Sequence, residues 1–111
     1  MEITEKKREN SVVLELKGRL DAASSESLWS KIDGLVDRGE RYLILDFSEL
    51  NYISSSGLRV LLMAARRVKA VNGKLALVSL NRQSQVVFQI AGFSSVFTVY
   101  PSQEEAVDSH S

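Results

Sequence analysis

The sequence contains no cysteine, which excludes disulfides, thiolate catalysis and the usual structural zinc sites and agrees with a reducing compartment. Neither sign of charge is in excess. Fourteen Lys and Arg balance fourteen Asp and Glu, so no overall field draws the chain to nucleic acid or an anionic membrane. No apolar run approaches the ~20 residues of a membrane span, and the start, Met1-Glu2-Ile3-Thr4-Glu5-Lys6-Lys7, lacks the apolar stretch of a signal peptide. These absences predict a soluble cytoplasmic protein with no direct nucleic-acid binding and no membrane insertion. A glycine-rich phosphate loop is also missing, which argues against a P-loop nucleotide enzyme. The single histidine, His110, stands second from the end and reads as a tail group rather than a general base.

What the chain does have is 111 residues with 44% hydrophobic composition, enough for one compact domain that buries roughly two thirds of its unfolded surface. Ile3 to Arg8 and Ser11 to Lys17 read as an antiparallel hairpin turned at Glu9-Asn10, the second strand alternating Val12, Leu14, Leu16 against Val13, Glu15, Lys17. Gly18-Arg19-Leu20-Asp21 ends that strand, and Asp21 or Ser24 can cap a helix carrying Leu28, Ile32, Leu35 and Val36 on one face, with Trp29 packed beside it and Gly39 as its stop. Tyr42 to Phe47 is an almost continuous apolar run, as in a parallel strand covered on both faces.

A polar turn follows, and from Ser56 the pattern becomes helical until Asn72-Gly73. Lys74 to Leu80 is a further strand. Asn81 can cap a helix that points Val86, Val87, Ile90 and Ala91 inward and stops at Gly92-Phe93. Val96 to Tyr100 is the last strand, Ser102-Gln103-Glu104-Glu105 has capping-box spacing for a final short helix, and residues 108–111 are expected to fray. The sum is one α/β domain over residues 1–111. Its sheet is mixed and mainly parallel, of four to five strands with an N-terminal hairpin and about four helices.

In open sheets of this kind functional groups gather beyond the carboxyl ends of the parallel strands. That edge brings together Gly18 to Asp21, Asp46 to Gly57 and Ser79 to Asn81. Within it Ser54, Ser55 and Ser56 stand where a helix begins, beside unpaired N–H groups and the positive end of the helix dipole, a setting that favours an anion. Capping alone needs only one of the three serines. A serine hydrolase is disfavoured, since the segment is not Gly-x-Ser-x-Gly and no base is evident. Asp21, Asp46 and Glu49 have no spacing suited to a metal loop, and no metal or cofactor is implied. On the helix after the serines, a helical wheel sets Arg59, Val60, Met63, Arg66 and Arg67 opposite the Leu58, Leu61, Ala65 stripe. Apolar anchors inside a basic rim suit a protein contact.

Gly18-Arg19-Leu20-Asp21 before one helix, then Leu45-Asp46-Phe47-Ser48 and Ile53-Ser54-Ser55-Ser56-Gly57-Leu58 entering the next, resemble the stand-alone STAS domains, especially bacterial anti-sigma factor antagonists. The resemblance spans essentially the whole chain. It implies a regulatory protein, not an enzyme, whose unphosphorylated form binds an anti-sigma factor serine kinase and frees a sigma factor. Phosphorylation by that kinase ends the binding, and a serine phosphatase resets it. The family's acceptor falls on Ser55, with Ser56 second and Ser54 third. Ser54 stands where the family often has Asp. The implied docking face is Asp21, Ser54, Ser55, Ser56, Gly57, Arg59, Val60, Met63 and Arg67. Two other roles fit the same resemblance: an accessory or scaffold subunit of a transport or signalling complex, and a small-ligand or nucleotide sensor. The oligomeric state is left open.

Overall fold

The computed structural model describes residues 1–93 and 96–110. The elements run β1 (Glu2–Arg8), β2 (Ser11–Leu20), α1 (Ala22–Asp37), β3 (Tyr42–Ile53), α2 (Ser55–Ala70), β4 (Lys74–Val78), α3 (Arg82–Ile90), β5 (Thr98–Tyr100) and α4 (Gln103–His110). Spatial order equals chain order, β1-β2-β3-β4-β5, with β1 antiparallel to β2 and every later pair parallel. Strand alternation divides the apolar residues between two faces. Val12, Leu14, Leu16, Leu43, Leu45, Phe47 and Leu77 meet α1, α2 and α3, while Val13, Ile44, Ala76 and Val78 meet Ala106 and Val107 of α4. Both faces are covered, as the continuous apolar run of β3 requires.

Several elements differ from the sequence reading, each through a contact made across the fold. β3 does not stop at Phe47. It continues to Ile53, because β2 also continues to Leu20 and supplies its ladder: Lys17 pairs with Glu49, Gly18 with Leu50, Arg19 with Tyr52 and Leu20 with Ile53. Two register shifts accommodate this, one beside Gly18, whose φ of 108° suits glycine. Asp46 therefore lies mid-strand, buried, and accepts from Ser48 N at 2.8 Å and Gln103 Nε2 at 2.5 Å.

The phase of α3 also differs. Ser84 and Phe88 are buried and Val87 half-buried, whereas Val86 and Ile90 face solvent, because the ring of Phe88 takes the core seat against Phe47, Phe93 and Phe97. β5 starts at Thr98 rather than Val96. At the C-terminus α4 runs through Asp108 to His110 instead of fraying; Ser111 lies outside the described residues. His110 is buried, its Nδ1 is 3.1 Å from Ser11 Oγ and its ring is 5.5 Å from that of Tyr42. Burial, then the Lys74 charge, pushes its pKa down.

Candidate functional site

The serine turn is built by the close of two parallel strands. Ser54 N donates to the carbonyl of Leu20 at 2.8 Å, so the chain leaves β3 held against the end of β2. Ser54 is extended (φ −84°, ψ 172°) and is the N-cap of α2: its Oγ accepts from Gly57 N at 3.1 Å, and its carbonyl accepts from Leu58 N at 3.0 Å. Ser55 and Ser56 are the first two helical residues. Both are exposed, and among the described residues neither hydroxyl has a partner. Their backbone N–H groups are the remaining orphan donors of a 16-residue helix.

Gly57 is buried by necessity of approach. A Cβ there would lie 2.8 Å from Leu20 Cγ and 3.0 Å from the Leu20 carbonyl oxygen. Its small size lets α2 start against β2. Asp21 likewise serves the scaffold. It caps α1, accepting from Ser24 N at 3.2 Å while Ser24 Oγ accepts from Asp21 N at 2.9 Å, and the bond from the Ser24 backbone N–H, then that from its hydroxyl, holds the carboxyl below its ordinary pKa.

The outward face of α2 is rotated from the wheel reading by nearly one residue step, ~100°. The buried residues are Gly57, Val60, Leu61, Ala64 and Val68. Val60 is therefore a core side chain, because α2 packs on α1 as well as on the sheet. Arg67 also belongs to that helix pair: its Nε lies 2.8 Å from Asp33 and its Nη2 2.9 Å from Asp37, both on α1, and the two carboxylates raise its pKa. Arg59 remains exposed and Met63 half-exposed. Ser55, Arg59, Leu62 and Arg66 fall on one line at i, i+4, i+7 and i+11, the outermost ridge of the helix. Leu62 was missed by the wheel reading. The signal that finds it is Gly57, which marks the side of the helix facing β2 and so fixes the phase.

Tyr52 adds a feature on the neighbouring strand. It is 43% exposed, and the Arg19 guanidinium sits over its ring at 4.2 Å. A small cleft beside it, about 90 Å³, is lined by Asn51, Tyr52, Ile53, Gln83, Ser84 and Val87. Asp21, Asp46 and Glu49 do not converge: Asp21 caps, Asp46 is held by Gln103, and Glu49 lies 4.0 Å from Lys17. Among the described residues no group of His, Asp and Glu is arranged to hold a metal, and no helix is long and apolar enough to cross a membrane.

Residues 2–106 match the STAS domain family. The chain belongs to that family. This STAS domain is 40% identical over 106 residues to BtrV of Bordetella bronchiseptica, provisionally named an anti-sigma factor antagonist, covering 96% of this chain and 91% of BtrV. It is 26% identical over 102 residues to the anti-sigma-B factor antagonist of Bacillus subtilis, covering 92% and 93% of the two chains. The solved structure of the Bacillus anti-sigma factor antagonist SpoIIAA, unphosphorylated, superposes with a TM-score of 0.78 at 26% identity over 97% of this STAS domain and 96% of SpoIIAA. The phosphorylated form of SpoIIAA gives 0.77 at 27% identity over 97% and 98%. The likeness in fold is thus the same for both states of that protein.

Proposed function

We propose that this STAS domain is an anti-sigma factor antagonist acting in the cytoplasm, whose unphosphorylated form binds an anti-sigma factor serine kinase and releases the sigma factor. The observation that carries the reading is the division of labour among the three serines. Ser54 spends its hydroxyl on the cap, whereas Ser55 presents a free hydroxyl at the helix start. Ser55 is the proposed acceptor, Ser56 the second choice and Ser54 the third. In the transfer, Ser55 Oγ attacks the γ-phosphorus of ATP, the O–P bond forms as the bond to ADP breaks, and the hydroxyl proton passes to a base of the kinase.

The phosphate adds a charge of about −1.5 to −2 at pH 7. The open N–H groups of Ser55 and Ser56, the dipole and Arg59 one turn behind accommodate it without a change of fold. The equal likeness to both states of SpoIIAA supports this. Release then arises at the partner, whose surface matches a neutral hydroxyl and is left with an unmatched dianion. A serine phosphatase restores the binding form. The docking ridge is Ser55, Ser56, Arg59 and Met63, extended by Leu62 and Arg66, with Ser54, Gly57, Asp21, Val60 and Arg67 holding it from behind.

Incubation with the cognate kinase and ATP, followed by mass spectrometry, tests the acceptor: one phosphate is expected on Ser55, and a Ser55→Ala variant still phosphorylated to the same extent overturns the assignment. Met63→Asp is expected to weaken kinase binding with an unaltered circular dichroism spectrum, and an unchanged affinity removes Met63 from the ridge.

A further inference from the structure

No charged residue occurs between Arg82 and Glu104, although charged residues make up 25% of the chain. The described residues of this stretch include α3 and the edge strand β5. Val86, Ile90, Val96 and Val99 there are four of the six large hydrophobic side chains exposed among the described residues, and Ile90 is 82% exposed. Between α3 and β5 lies a groove of about 790 Å³ lined by Phe88, Phe93, Phe97, Val99, Tyr100 and Pro101, with glutamines and Ser79 as its polar members.

Among the described residues β5 pairs with β4 on one side only. The opposite edge is protected: β1 carries Glu2, Glu5, Lys6, Lys7 and Arg8, of which Glu5 pairs with Lys31, Lys6 with Glu15, Lys7 with Glu40 and Arg8 with Glu104. Charges on an edge strand prevent further pairing, and β5 has none.

We infer that the α3–β5 edge is the interface of a two-fold homodimer, β5 meeting β5 of a second copy. A second copy is the occupant that the charge pattern selects. An uncharged patch meets its own image without desolvating any ion. The chain's net charge of zero removes long-range repulsion between copies. A two-fold axis through the edge sets the two β5 strands antiparallel, and pairing of β5 with β1 of another copy, which would grow a filament, is blocked by the β1 charges. The groove gives Ile90 of the second copy an uncharged seat. With only three residues in β5 the dimer belongs to the weak class, with a Kd of about 10 μM to 1 mM. The inference is independent of the serine reading, since it uses neither β3 nor α2.

Sedimentation velocity of the full chain from about 10 μM to 1 mM, the span of such affinities, is expected to show the mass rising from monomer to dimer. Ile90→Lys and, separately, Val99→Lys are expected to hold the monomer mass with wild-type circular dichroism, while Met63→Asp leaves association unaltered. A monomer at every concentration, or association that survives both lysine variants, overturns the inference. So does a monomeric wild type whose Ile90→Lys variant loses kinase binding, because the patch then belongs to the kinase.

Discussion

Gly57→Ala sets two effects of opposite sign against each other. As the third residue of α2, alanine favours the helix over glycine by up to about 1 kcal/mol. The new Cβ, however, meets Leu20 Cγ at 2.8 Å and the Leu20 carbonyl oxygen at 3.0 Å. Leu20 is fully buried, so its side chain has nowhere to turn, and its carbonyl is fixed by Ser54 N at 2.8 Å. Relief therefore requires α2 to move away from β2, and overpacking of this kind costs about 1–3 kcal/mol. At mid-range the clash outweighs the propensity gain, giving a net loss of about 1 kcal/mol and a fall in Tm of roughly 4 °C for a domain of this size. Thermal melts followed by circular dichroism, with urea titration for the free energy, read this directly. A Tm equal to or above wild type would show that helix propensity decides and that the Leu20 contact is not a constraint. Since the same movement displaces Ser55, the rate of phosphorylation should fall in parallel.

Two further outcomes test the C-terminal helix and the serine turn. Burial, then the charge of Lys74, pushes the folded pKa of His110 below the ordinary 6.5. Between those two pKa values the unfolded chain binds the proton and the folded one does not. Stability should thus be intact above about pH 6.5 and decline as pH falls through that window; His110→Gln should flatten the Tm-against-pH curve there, and a slope identical to wild type would exclude the histidine. At the serine turn, Ser54→Ala should cost about 1 kcal/mol by loss of the cap, whereas Ser54→Asp should keep the cap and gain about 0.3–1 kcal/mol from the helix dipole. Urea denaturation of both variants checks the order, and equal stabilities would mean that the Gly57 N–H bond contributes nothing.

Local chemistry determines a large part of the molecule. The period of two in Val12 to Leu16, the apolar run of Tyr42 to Phe47 and the caps at Asp21 and Asn81 are encoded within a few residues of themselves, and in the structure each lies in the strand, or at the helix start, that those signals predict. The serines fell at a helix start for the same reason. What the sequence could not hold is anything decided by a neighbour far along the chain. β3 extends to Ile53 because β2 is there to pair with it. Val60 turns inward and Arg67 is spent on Asp33 and Asp37 because α1 lies alongside α2. His110 is buried by Ser11, from the other end of the chain. An apolar stripe states that a helix must bury one side; only the tertiary packing states against what, and so which side remains for a partner.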